Sequence, residues 1–192
     1  SSLVKHSNLK PGDLVAVIGP GPIGLLCVQI AKIIGASDIV VIGTEGDDAR
    51  LELAKEFGAT MVINSSEKDP VQVIMGMRDG YGADIVVDTA GVSAALKLSM
   101  DMVRPCGQIN KIGWGPKPVG FSLDPLISKA VTMNFTFSHN WDVWEACLTL
   151  MDKKAVNLEK LITHELPLDK WHEGFELIES RQGMKVVLTP IG

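Results

Sequence analysis

Cysteine, tyrosine and clusters of positive charge are all scarce in this 192-residue chain. Its three cysteines, Cys27, Cys106 and Cys147, are odd in number and far apart. No disulfide framework and no zinc-ligand spacing can be read from them. They read as buried free thiols in a reducing cytoplasm. The four histidines are equally scattered, so the sequence offers no metal-binding cluster. Basic runs are absent and the net charge is −5, which argues against nucleic acid and anionic membrane as partners. Residues 14–31 carry no charge, yet Gly19-Pro20-Gly21-Pro22 cuts that stretch into two short pieces. Neither a signal peptide nor a membrane span is expected. With 46% hydrophobic and 21% charged residues, the composition is that of an ordinary folded domain.

What is present begins with the interruption itself. Gly19-Pro20-Gly21-Pro22-Ile23-Gly24 stands between an apolar run, Leu14–Ile18, and a helix-like run, Leu25–Lys32. This is a G-x-G-x-x-G turn in a strand–turn–helix setting, the arrangement that holds a dinucleotide pyrophosphate. Gly19 permits the tight turn, Gly21 the approach of the phosphates, and Gly24 close packing of helix on strand. Pro22 has no N–H, and its fixed φ suits the first helical position. The amides of Ile23 and Gly24 are therefore the expected donors. The Ile23 side chain faces either the nicotinamide ring or the core.

A second run, Asp38–Glu45, ends on an acid 21 positions beyond Gly24. A carboxylate there accepts both ribose hydroxyls and repels a 2′-phosphate, which favours NAD over NADP. Arg50 is the competing signal, since an arginine nearby can receive that phosphate; the helix expected over 47–57 places it along the adenine edge instead. Asp47 and Asp48 read as solvated loop acids or as caps of that helix.

Further strand-like runs follow at 61–63, 83–88, 107–112 and 131–137, most of them separated by helical segments near 22–34, 47–57, 70–78 and 92–103. Such alternation implies right-handed crossovers and a parallel sheet covered on both faces. Six strands in two mononucleotide-binding halves take the order 3-2-1-4-5-6, with the ligand at the strands' carboxyl ends where the order reverses. Residues 2–7 read as a helix end, and 113–130 as a turn-rich connection. After Asn140 a helix over 141–153, a strand 161–166, a helix 169–180 and a strand 185–189 are expected.

These residues resemble the nucleotide-binding half of medium-chain, zinc-dependent alcohol dehydrogenases, particularly the sorbitol and threonine dehydrogenase branch. The likeness spans essentially the whole chain. It is carried by Leu9-Lys10-Pro11-Gly12-Asp13, the glycine turn with Leu25, Ala54-Lys55-Glu56-Phe57-Gly58-Ala59, Gly82–Asp88 with Gly91, Gly107, and the tail with Leu161–His164, Phe175–Leu177 and Gly183–Pro190. The resemblance implies a Rossmann domain over 1–140, of which 1–8 ends an inter-domain helix. Residues 141–192 would return toward a GroES-like catalytic domain, absent here, that carries the zinc. The chain would then be a domain fragment that binds NAD, holds no zinc, and acts on a small-molecule alcohol only within the full-length enzyme. By the family pattern, Thr89, Ala90 and Gly91 face the adenosine side. Ile112, Gly113, Trp114, Phe137 and Ser138 face the nicotinamide. The strand 131–137 would pair two copies into a homo-oligomer. A zinc-free quinone or enoyl reductase and a non-enzymatic NAD sensor are the alternatives, the first disfavoured by Glu45 and the second by the tail. A short-chain dehydrogenase is excluded, because Ile85 rather than lysine stands four positions after Tyr81, the only tyrosine.

Overall fold

The computed structural model describes residues 1–115 and 117–190. They fall into two compact units divided between Thr149 and Leu150. The first opens with the short helix α1 (Ser2–Lys5), then alternates β1 (Leu14–Ile18), α2 (Pro22–Ile34), β2 (Asp38–Gly43), α3 (Asp48–Phe57), β3 (Met61–Asn64), α4 (Pro70–Met75), β4 (Ala83–Asp88), α5 (Ser93–Met102) and β5 (Val103–Lys111). The brief helix α6 (Pro125–Ser128), β6 (Thr132–Phe135) and α7 (Trp141–Asp152) follow, the division falling inside α7.

All six strands are parallel in the order β3-β2-β1-β4-β5-β6, as the alternation of apolar runs predicts. Every residue of β1 is buried, because a parallel sheet is covered on both faces and needs a continuous apolar run. Leu14, Ala16 and Ile18 join one core with Ile74 of α4 and Ala95, Leu96 and Met100 of α5. Val15 and Val17, equally buried, point to the opposite face by the two-residue alternation of a strand, where α2 packs on β1 and α3 on β2. Pro22 sits at the first turn of α2, and Gly35 ends it with φ of 100°, a left-handed cap.

Several boundaries differ from expectation, each for a local reason. β2 stops at Gly43 because the Asp47 carboxylate accepts the Thr44 N–H at 3.0 Å and folds residues 44–47 into a turn. α4 ends at Met75, followed by Arg78, Asp79 and Gly80 at φ of 48°, 60° and 78°. β5 starts at Val103, but two steps along β4 from Ala83 to Ile85 face five along β5 from Val103 to Gln108. Pro105 lacks an N–H and Cys106 has φ of 54°, so the excess residues bulge outward. Cys106 is consequently exposed and Cys147 half-buried; only Cys27 meets the expectation of a buried thiol. Burial pushes the Cys27 thiol up to about 12. β6 covers 132–135 alone, and Ser138 turns the chain at φ of 64°.

The second unit pairs β7 (His164–Pro167) with β8 (Val186–Thr189) in parallel, joined through α8 (Trp171–Glu179). Residues 159–161 form a 3₁₀ turn rather than the start of β7, with Leu161 buried.

At the amino ends of the strands the Arg78 guanidinium donates to Asp38 Oδ2 at 2.6 Å, to the Gly12 carbonyl at 2.9 Å, to Asp84 Oδ2 at 3.2 Å and to Ser37 Oγ. Asp84 also accepts the Leu14 N–H at 2.7 Å and Arg104 Nε at 2.6 Å. The hydrogen bond from Arg78 holds the Asp38 carboxyl below its ordinary value of 3.8. A depressed folded-state value stabilises the fold above the ordinary value and loses that effect as pH falls. Arg78→Leu is therefore expected to cost about 1 kcal/mol at pH 7, a small amount because both partners are partly solvated. The difference from the parent should narrow below about pH 3.8, as measured by urea unfolding at the two pH values.

Candidate functional site

The switch point of the sheet lies between β1 and β4, where strand order reverses and a crevice opens at the carboxyl ends. Four loops meet there. Gly19 leaves β1 at φ of 99° with its N–H on the Ile42 carbonyl at 2.9 Å. A Cβ on Gly24 would lie 2.0 Å from the Gly19 carbonyl oxygen, so only glycine lets α2 begin this close to β1. Gly21 is different: nothing stands within 4 Å of the position a Cβ would take, and its φ of −75° suits any residue. No side chain caps α2. Among the described residues the amides of Ile23 and Gly24 meet no acceptor, and the Ile23 side chain is half exposed.

Glu45 is exposed on the turn after β2, its N–H on Ser66 Oγ at 2.9 Å. Ser66 also lines a cleft of about 580 Å³ with Ser65, Lys68, Ala94, Lys97 and Leu98. Asp47, expected as a solvated acid or a cap, takes the cap position of α3 but is buried, and its side chain makes no bond to the helix amides. Arg50 lies 3.8 Å from Asp47 Oδ1.

The loops after β4 and β5 interlock around Asp88, which is wholly buried. Its Oδ1 accepts the N–H groups of Ala90 and Gly91 at 3.1 and 2.9 Å. Its Oδ2 pairs with Lys111 Nζ at 3.0 Å. Thr89 Oγ1 reaches across to the carbonyls of Ile18 and Gly19 at 2.8 and 2.9 Å, tying this loop to the glycine turn. A Cβ on Gly113 would fall 2.3 Å from Gly91 N, and one on Gly91 2.6 Å from Trp114 N. The two backbones touch where a side chain would part them. Beyond them the Trp114 and Phe137 rings meet edge to face at 5.8 Å, both largely exposed.

The residues singled out in the sequence therefore gather at one end of the sheet: the turn 19–24, Glu45, 89–91, 112–114, and Phe137 through its contact with Trp114. Lys111 went unread there. Its signal was a cation closing a buried strand beside a strand that closes on an acid, since Asp88 and Lys111 are register partners. A second cavity of about 400 Å³, among Asn8, Asp84, Arg104, Cys106 and Thr132, lies at the amino ends of β4, β5 and β6, away from these loops. No group of three or more His, Cys, Asp or Glu among the described residues could hold a metal ion. None of the helices searched is long and apolar enough to cross a membrane.

A tight glycine turn at the switch point of a 3-2-1-4-5-6 sheet defines the Rossmann class of α/β domains. Within that class the chain belongs to the zinc-binding dehydrogenase family, whose model matches residues 22–153. It is 36% identical over 98% of its length to a sorbitol dehydrogenase of Halalkalibacterium halodurans. It is 35% identical over 97% to an L-threonine 3-dehydrogenase of Bacillus velezensis. These alignments cover 55% and 54% of the two relatives, so the chain spans about half the length of the curated relatives it matches. Among solved structures, the alcohol dehydrogenase TADH from Thermus sp. ATN1 superposes with a TM-score of 0.88 at 33% identity, covering 96% of this chain and 53% of that one. A putative zinc-binding dehydrogenase from Sinorhizobium meliloti 1021, bound to NADP, superposes at 0.85 with 26% identity over 96% of this chain and 54% of its own.

The two glycines should respond oppositely to the same added methyl. Gly24→Ala is expected to cost about 2 kcal/mol or more through the overlap with Gly19, whereas Gly21→Ala should change stability by less than about 0.5 kcal/mol. Thermal and urea unfolding of both variants would check this.

Proposed function

We propose that this chain is the NAD(H)-binding portion of a zinc-type alcohol, polyol or threonine dehydrogenase, positioning the nicotinamide for hydride transfer from a secondary alcohol. The observation that carries the reading is the glycine turn: two free amides at the start of a 13-residue helix, with open space over Gly21, fit a diphosphate. The coenzyme, when bound, supplies a hydride acceptor at its nicotinamide. Everything else falls to the residues that hold it.

Ile23 and Gly24 donate to the diphosphate, with Pro22 presetting the helix start. Glu45 accepts the ribose hydroxyls beside the cleft at Ser66, which takes the adenine, with Arg50 along its edge. Thr89, Ala90 and Gly91 bound the adenosine side. Backbone groups of Ile112, Gly113 and Trp114 face the carboxamide, with Phe137 and Ser138 closing that end. These assignments rest on position at the carboxyl ends of the strands and on the turn geometry.

Residues 1–140 form the coenzyme-binding domain and 141–192 return toward a separate catalytic domain. The half-length match to the relatives supports this division of labour. The chain alone turns over no alcohol, and the zinc belongs to the catalytic domain of the full-length enzyme. Its free cysteines suit the cytoplasm. β6 is an edge strand with Phe135 71% exposed, and an open apolar edge of this kind favours pairing with a second copy. Sedimentation at about 50 µM should accordingly give a dimer or larger, and a monomer would remove this part of the reading.

Coenzyme choice tests the rest. An uncompensated carboxylate against a 2′-phosphate costs several kcal/mol, so NADH should bind roughly a hundredfold more tightly than NADPH. Glu45→Ala should bring the two within about tenfold, mainly by relieving the repulsion. Fluorescence titration measures both. Equal affinity of the parent for the two coenzymes would overturn the assignment of Glu45, and failure to bind either would overturn the function.

A further inference from the structure

Lys111 occupies an unusual place for a lysine. Such side chains normally run their stems along apolar surface and leave the ammonium in water. Here the side chain is only 17% exposed, and Nζ turns inward to Asp88 Oδ2 at 3.0 Å and to the Gly113 carbonyl at 3.0 Å. Asp88 is 0% exposed. Its main-chain carbonyl accepts the N–H groups of Ile112 and Gly113 at 2.9 and 2.8 Å. One acid and one cation thus fix both ends of the same short loop.

A buried ion pair is a weak source of stability, because desolvation offsets most of the attraction, and an apolar pair of similar volume commonly does as well. What the pair supplies that apolar residues could not is direction. Lys111 is the donor that seats the Gly113 carbonyl, and the carbonyl's orientation sets that of the next peptide, Gly113–Trp114. Asp88 fixes the neighbouring loop separately, through the Ala90 and Gly91 amides.

We infer that Lys111 is a positioning residue for the nicotinamide half of the coenzyme site, acting through Gly113 on the loop 112–114 while leaving the adenosine half to the glycine turn and the loop after β4. The inference rests on the coenzyme-binding reading above and adds a residue and a division of labour to it. The competing explanation is that the contact between Gly91 and Gly113 already holds the loop, with the ion pair as filling.

ADP-ribose lacks the nicotinamide and keeps the rest of the coenzyme, so comparing it with NADH separates the two halves. Calorimetric titration of the whole chain should show NADH binding roughly tenfold more tightly than ADP-ribose, the factor expected of about one well-placed hydrogen bond. Lys111→Met alone strands a buried carboxylate and can unfold the chain. The double variant Asp88→Asn/Lys111→Met removes both charges, and the amide oxygen introduced in place of the carboxylate can still accept from the Ala90 and Gly91 N–H groups. It should melt within about 5 °C of the parent. Its ADP-ribose affinity should stay within about twofold of the parent's, while its preference for NADH falls to about twofold or less. A folded double variant that keeps the tenfold preference, or that loses both ligands equally, overturns the inference, as does a parent without the preference. A parent that binds neither ligand defeats the coenzyme reading itself.

Discussion

The contact on which the site depends is between two backbones: the Gly19 carbonyl and the α-carbon of Gly24. With 2.0 Å between that oxygen and any Cβ on Gly24, no other residue lets α2 start this near the end of β1. The closeness aims the helix axis, and with it the partial positive charge of the N-terminus, at the crevice where the sheet reverses order. Were α2 displaced by a side chain, its first amides would point elsewhere and the crevice would lose its donors. The packing requirement and the binding site are the same geometry viewed from two sides.

A second centre extends this one across the sheet. Asp88 closes β4 and makes no contact with solvent, yet its two oxygens and its carbonyl reach Ala90, Gly91, Lys111, Ile112 and Gly113. Thr89 links the assembly back to Ile18 and Gly19. Three loops from β1, β4 and β5 are therefore tied into one hydrogen-bonded network. Buried polar groups that are fully satisfied specify one arrangement rather than adding much stability, and at a ligand site one arrangement is what is needed.

Much of this was legible in the residues. β1 and β4 match the expected strands to the residue; β1 does so because a strand buried on both faces needs uninterrupted hydrophobicity, and β4 because its Ile85-Val86-Val87 centre is framed by two acids. The glycine turn was legible for the same reason that it works, since glycine spacing reflects backbone contacts within six residues. What escaped was set by particular side chains and backbone turns that apolar periodicity does not register, some of them local and some distant in sequence. β2 ends early because the Asp47 side chain competes for the Thr44 N–H. The start of β5 is hidden by the bulge at Pro105 and Cys106. α4 yields to a left-handed run that carries Arg78 to acids on two other strands. Lys111 drew no notice within its strand run, and only the register sets it against Asp88. Local periodicity carries no register between strands, so it could not have shown that pair.

The most direct test of the central claim is an amide-resolved NMR titration of the isotopically labelled chain with ADP-ribose. The largest shifts are expected at the Ile23 and Gly24 amides, with Glu45 and the Ala90–Gly91 loop following at the same ligand concentrations. Shifts centred elsewhere on the sheet, or a spectrum unmoved at about millimolar ligand, where even weak complexes are populated, would contradict it.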